Sequence, residues 1–187
     1  MGGGLESRFR PKGLRKPLTD YHKEYLLGAD RCGPINPVFE SFLRGLPARS
    51  KVLDLGGGQG RDAIPAARLG HRVVVVDIAA SGLAQIEAVA LAENLDIRTR
   101  LDDIARYQPD DVFDAVLLDR VLHMLPSDND RHRMTRKVAT WVRIGGWVAI
   151  SDTKSNRVLI RAAFSDSDWS VIHRKGDDLI CQKTKPR

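Results

Sequence analysis

The sequence predicts a doubly wound α/β fold: a mostly parallel seven-stranded sheet with a C-terminal antiparallel hairpin strand. Three observations predict it. From residue 50 onward short β-rich runs alternate with helical patterns, the β-branched run Arg72-Val-Val-Val-Val-Asp77 is bounded for burial on both faces, and the strand before it opens directly into glycines. Strands alternating with helices in this order pair in parallel and carry helices on both sides.

Taken in order, residues 51–55 form a buried strand ending in glycines, and residues 61–69 a helix stopped by Gly70. Strand 72–77 follows. Ser81 is placed to cap a helix to about Asn94, with Leu83, Ile86 and Ala90 near one face; residues 97–101 and 113–118 are the third and fourth strands. Ser127 with Asp130 resembles a capping box for a helix to about Arg143, its core face given by Met134, Val138, Trp141 and Val142, and ended by Gly145-Gly146. Residues 147–151 make a fifth strand and 156–164 a helix, before a hairpin of strands 169–174 and 178–183 turned at 175–177.

At 187 residues the chain suits one well-buried domain, and 42% hydrophobic with 29% charged residues excludes wholesale disorder and fibrous repeats. Residues 1–19 read as a basic leader, 20–49 as an N-terminal helical cover with helical hints at 21–27 and a helix at 37–44, and 50–187 as the main domain. The net charge of +6 is concentrated early, in Arg8, Arg10, Lys12, Arg15, Lys16 and Lys23. A solvated tail is the expected reading, over a nucleic-acid arm, since no spaced series of aromatics offers stacking. Cys32 and Cys181 are too far apart for a C-x-x-C pair, so free thiols and no metal site are expected. The start lacks a secretory apolar stretch, and no run reaches the ~20 residues of a membrane span, which points to a cytoplasmic protein.

The central motif is Val52-Leu-Asp-Leu-Gly-Gly-Gly-Gln-Gly60, a strand passing into G-x-G-x-G at Gly56, Gly58 and Gly60 and then a helix. Such a bend lets a ligand lie against peptide groups beside unpaired helix N–H donors. The dinucleotide fingerprint G-x-G-x-x-G is not met, because Arg61 stands where the third glycine belongs. Asp77, with Ile78 after it, ends the second strand where a carboxylate accepts both ribose hydroxyls. Asp54 either offsets cationic charge or orders the loop. Asp62 reads as decoration of a helix dipole, and Arg131, Arg133, Arg136 and Lys137 as a solvated helix face. Asp119, Arg120 and His123 follow the fourth strand, at the carboxyl edge where ligands of open α/β sheets collect.

Together V-L-D-L-G-G-G-Q-G-R, the acid closing strand two and an Asp after strand three resemble class I S-adenosylmethionine-dependent methyltransferases, over residues 50–152. The resemblance implies a Rossmann-like fold, S-adenosylmethionine as cofactor, ribose binding at Asp77 and adenine binding at Asp103-Ile104, with Asp102 as the alternative carboxylate. Within that class G-G-G-Q-G-R-D, R-T-R-L-D-D-I and F-D-A-V-L-L-D-R-V-L-H-M-L are most similar to the tellurite-resistance branch. That likeness implies a cover tyrosine at Tyr25 and a His-Arg pair at His173-Arg174 near the substrate. It also implies a small-molecule acceptor, with thiols and selenium or tellurium oxyanions among its soft nucleophiles. Arg120, His123, His173 and Arg174 are the candidate catalytic residues. Three rivals remain: a non-catalytic cofactor- or partner-binding module, a nucleotide-dependent oxidoreductase disfavoured by the missing glycine, and RNA or protein methylation. The last lacks an N-P-P-Y-like segment after strand four.

Overall fold

The computed structural model describes residues 20–28 and 31–185; the basic leader, residues 1–19, lies outside the described residues. Among the described residues the strands are β1 (Lys51–Leu55), β2 (Arg72–Asp77), β3 (Ile97–Leu101), β4 (Phe113–Asp119), β5 (Val142–Ser151), β6 (Trp169–Lys175) and β7 (Asp178–Lys183). They form one seven-stranded sheet in the order β3-β2-β1-β4-β5-β7-β6, parallel through β5, with β7 inserted antiparallel between β5 and β6. The helices are α1 (Tyr21–Leu26), α2 (Pro37–Gly45), α3 (Ala63–Arg68), α4 (Ala80–Glu93), α5 (Asp128–Trp141) and α6 (Arg157–Ala163).

Successive strand residues point to opposite faces, so each buried strand feeds two cores. On one side Leu53, Leu55, Val116, Leu118, Val148 and Ile150 pack with Met134 and Val138 of α5 and Ile160 of α6. On the other, Val52, Val73, Val75, Ala115 and Leu117 pack with Phe39 and Leu43 of α2, Ala63 and Ala66 of α3, and Leu83 and Ile86 of α4. Helix starts follow their chemistry: Asn36 Oδ1 accepts from Val38 N at 2.9 Å ahead of Pro37, and Ser127 Oγ accepts from Asp130 N at 3.2 Å.

Three local expectations change. Ser81 is not a cap: it lies inside the first turn of α4, and its hydroxyl donates to the carbonyl of His22 at 2.7 Å. The helix α5 stops at Trp141 and β5 begins at once with Val142, so Gly145-Gly146 sit inside a strand. They serve a bulge, where the β4–β5 register shifts and a Cβ on Gly146 would meet the Asp114 carbonyl at 2.8 Å. The helix end is held instead by Lys183, 6% exposed, whose ammonium donates to the carbonyls of Ala139 (2.8 Å) and Val142 (3.0 Å). The basic face of α5 is only partly solvated. Arg131 reaches the carbonyls of Leu122 and Leu125, and Lys137 that of Ala105, while Arg133 and Arg136 stay exposed.

Among the described residues no helix is long and apolar enough to cross a membrane. No group of three His, Cys, Asp or Glu side chains among them is placed to hold a metal ion. Cys32 and Cys181 are both free, and burial pushes the Cys181 thiol up to about 11.

Candidate functional site

The two-residue period places one acid of each central strand on the same side. Asp54, Asp77 and Asp119 share the parity of Val52, Val75 and Leu117, so all three leave the carboxyl edge on the face covered by α3 and α4. The glycine loop runs past them. Gly56 N donates to the Val76 carbonyl at 2.7 Å, and Gly56, Gly58 and Gly60 all have positive φ.

Gly58 is where the lack of a side chain matters most. Its φ is 55°, its N–H donates to Asp77 Oδ2 at 2.9 Å, and a Cβ there would lie 2.7 Å from the Tyr25 hydroxyl. Asp77 Oδ1 accepts from Ala79 N at 2.7 Å, so the carboxylate bridges the loop and the start of α4, beside half-buried Ile78. Burial raises the Asp77 carboxyl above the ordinary range, against the pull of the N–H groups of Ala79, Gly58 and Ile78.

Beyond Gly60 the chain buries a charge cluster. Arg61 Nη2 pairs with Asp119 Oδ2 at 2.6 Å, its Nε lies 3.7 Å from Asp62 Oδ2, and its Nη1 donates to the Cys32 carbonyl at 3.0 Å. Three carboxylates thus face one guanidinium. Asp54 is raised well above the ordinary range by burial and by Asp62 and Asp119, and its Oδ2 is buried without a hydrogen-bond partner. Asp62 is pushed up to about 7 by burial and Asp119, so it is a member of this cluster rather than decoration of a helix end. Asp119 is raised by burial, against the opposing effect of Arg61 and Arg120. Such an arrangement favours a cationic ligand.

The N-terminal cover is bound directly to this region. Gln59 Nε2 donates to the Gly28 carbonyl and to Gln85 Oε1, both at 2.7 Å, and its Oε1 accepts from Arg31 N at 2.8 Å. Gln85 Nε2 donates to the Tyr25 carbonyl at 2.7 Å. Tyr25 is buried over Gly58, with the Cys32 thiol 3.8 Å from its hydroxyl, and burial raises that phenol. Asn36 Nδ2 reaches Asp178 Oδ1 at 2.9 Å, joining the cover to the first residue of β7. Gln59 lies within the glycine motif and Gln85 in none; folding alone brings both to the cover.

The turn after β3 buries Asp103 and Ile104 and leaves Asp102 half-buried. Asp103 Oδ1 accepts from Ala105 N at 2.9 Å, and Asp102 N donates to the Asp77 carbonyl at 3.0 Å, which draws this turn against the end of β2. Arg120, exposed, has a φ of 60° and donates its N–H to the Ser151 carbonyl at 2.7 Å. A positive φ in a residue with a Cβ costs roughly 1–2 kcal/mol. His123 follows on a 3-10 turn, Leu122–Met124, with ring Nδ1 and backbone N both 3.3 Å from Asp152 Oδ2. Asp152 follows β5 as Asp77 ends β2 and Asp119 ends β4, but the sequence carries no motif around it; its pairing with His123 comes from the fold. His173 and Arg174 lie near the carboxyl end of β6, at the same sheet edge but separated from β1 by β4, β5 and β7.

The family described as Methyltransferase domain matches residues 52–146, from β1 into β5. No curated protein matches the sequence. Among solved structures, the chain is similar to TehB from Haemophilus influenzae at 18% identity and a TM-score of 0.70, covering 80% of this chain and 63% of that one. It is also similar to the N-methyltransferase NodS from Bradyrhizobium japonicum, solved with S-adenosyl-L-homocysteine (16% identity, TM-score 0.68, 89% and 97% covered). A third is the 1,6-didemethyltoxoflavin-N1-methyltransferase of Burkholderia thailandensis (20% identity, TM-score 0.65, 92% and 94% covered). At these identities the likeness is one of fold.

Proposed function

Because the chain belongs to the methyltransferase-domain family, as a class I enzyme that uses S-adenosylmethionine, we propose that it methylates a small-molecule acceptor at the carboxyl edge of β1, β2 and β4. The observation that carries the reading is the pairing of Asp77 with Gly58 N beside a buried, acid-rich cluster whose Asp54 Oδ2 lacks a partner. S-adenosylmethionine supplies an electrophilic methyl on a sulfonium and brings a second positive charge on its amino group.

The residues present fit that molecule. Asp77, next to Ile78, would accept from the ribose hydroxyls; Asp103 with Ile104 would hold the adenine; Gly56, Gly58 and Gly60, all at positive φ, would shape the bend beside which the rest lies. Asp54 and Asp119 would offset its positive charge, with Tyr25 excluding water from above. Arg120, His123, His173 and Arg174 are assigned to the acceptor side. Alignment in such a site supplies roughly 7–11 kcal/mol of barrier lowering. Resemblance to the tellurite-resistance branch supports a soft acceptor, a thiol or a selenium or tellurium oxyanion. Likeness to NodS and the didemethyltoxoflavin enzyme supports a nitrogen acceptor.

Calorimetry tests the cofactor assignment. The wild type should bind S-adenosylhomocysteine, and Asp77→Ala should abolish binding while the circular dichroism spectrum is kept; wild-type affinity in the variant would reject it. A labelled-methyl assay over thiols, selenite, tellurite and small amines then separates an enzyme from a binding module, which would bind without turnover.

A further inference from the structure

Asp152 follows β5, is 1% exposed, and has no part in the cradle described above. Its two oxygens are engaged differently. Oδ1 accepts from Thr153 N at 2.7 Å and from the buried Asn156 Nδ2 at 2.8 Å, which holds the carboxylate in place. Oδ2 faces His123, 3.3 Å from its ring Nδ1. A carboxylate at Nδ1 fixes that nitrogen as the N–H donor, so the neutral ring keeps its lone pair on Nε2. Among the described residues Nε2 has no hydrogen-bond partner, and the side chain is 30% exposed.

The turn that carries His123 sits beside the reaction region. Two residues earlier, Val121 packs so tightly on Gly56 that a Cβ there would lie 2.4 Å from its Cγ2; one residue later, Met124 Sδ is 3.5 Å from the Tyr21 hydroxyl of the cover. Around this turn the charged and titratable groups are Asp152 from β5, Asp119 and Arg120 at the end of β4, Arg131 of α5 and Tyr21 of α1. Asp152 is the one in contact with the ring. Burial would raise its carboxyl, but Asn156, the Thr153 N–H and His123 outweigh that and hold it below the ordinary range.

We propose that His123 is the base that takes the proton from an N–H or O–H acceptor, with Asp152 as its positioning residue; this rests on the methyl-transfer reading. From a hydroxyl or ring N–H the proton passes to His123 Nε2 as the electron pair it leaves bonds to the methyl carbon; an amine bonds through its own lone pair, and His123 takes the proton from the ammonium that results. The methyl–sulfur bond breaks with its pair going to sulfur. The imidazolium, stabilised by Asp152, returns its proton to water. A soft anion would need none of this apparatus, so the dyad selects amines, ring N–H groups or hydroxyls as the acceptor class.

The test has two arms on the full chain. In ring-15N NMR spectra, wild-type His123 should hold the Nδ1–H tautomer, and Asp152→Asn should redistribute the tautomers. Unchanged tautomers would overturn the proposal, and His123→Gln, read in the second arm, keeps it testable if Asp152→Asn melts early. In the second arm, labelled-methyl transfer to a catechol and an aromatic amine is compared with transfer to a thiolate and selenite. For the first pair, His123→Gln should lower kcat roughly 100-fold or more with the donor KM unchanged. Asp152→Asn should shift the acid limb of the pH–kcat profile. Transfer confined to thiolate and selenite, or an unaltered kcat in His123→Gln, overturns the dyad while leaving methyl transfer intact. Failure of the wild type to bind S-adenosylhomocysteine would instead remove the reading beneath it. The spectra decide even where no probe turns over.

Discussion

Arg61 Nη2 lies 2.6 Å from Asp119 Oδ2, and this ion pair ties the turn after the glycine loop to the end of β4. The same guanidinium holds the Cys32 carbonyl, so one side chain joins strand, loop and cover. Breaking a buried pair leaves an uncompensated charge, which is why Arg61→Met should destabilise the fold by about 3 kcal/mol in urea unfolding. Arg61→Lys should recover only part of that, because an ammonium lacks the planar fork. Equal stability of all three proteins would show that the cluster is not held by this contact.

The acid cluster also sets a pH dependence. An unfolded Asp62 ionises in the ordinary carboxylate range, whereas the folded one keeps its proton until about 7. Between those limits the folded state binds more protons, so stability should fall as pH rises through that window. A cationic ligand reverses the balance by drawing the carboxyls down. S-adenosylmethionine should therefore bind more tightly from pH 5 to 7.5 and release protons, seen as binding heats that differ between buffers of different ionisation enthalpy. Asp62→Asn should reduce that release.

Two glycines make a graded steric test. A Cβ on Gly58 meets the end of the Tyr25 side chain, while one on Gly82 would lie 2.3 Å from the backbone carbonyl of Gly58. A hydroxyl can be removed; a carbonyl cannot. Gly82→Ala should cost about 1–3 kcal/mol, the range for overpacking, and should impair cofactor binding. Gly58→Ala should lose binding too, and Tyr25→Phe should restore part of its melting temperature but none of that of Gly82→Ala.

Lys183→Met would keep most of the side-chain volume but leave the carbonyls of Ala139 and Val142 without their donor. Each buried unsatisfied group costs roughly 1–3 kcal/mol. The melting temperature should fall, with the loss of amide protection in hydrogen exchange concentrated in the last turn of α5.

What the sequence reveals and what it hides follow one physical division. Strands β1 and β2 are legible to the residue because their apolar runs end at a glycine or a charge, and β3 because Ile97-Arg-Thr-Arg-Leu101 alternates apolar with polar between Asp96 and Asp102. The start of β5 is not, because Trp141 and Val142 fit a helical stripe and Gly145-Gly146 resemble a helix stop. The β4 backbone that requires those glycines lies some thirty positions away. Within the site, Asp54 and Asp77 announce themselves by adjacency to the glycine motif. Gln59 and Asp62 sit in or beside the same motif, yet like Asp152 they take their meaning from partners such as Gly28, Asp119 and His123 that only the topology delivers.

The insertion of β7 between β5 and β6 orders events during synthesis. Strands β1 to β5 can join the growing sheet as they emerge, but β6 pairs with β7 and with no other described strand, so it must wait for a segment made after it. Until Lys183 leaves the ribosome, the β5 flank stays an open edge and the end of α5 lacks its ammonium clasp. The far side of the sheet therefore locks in a single late event, in which strand pairing and helix termination are completed by the same six residues.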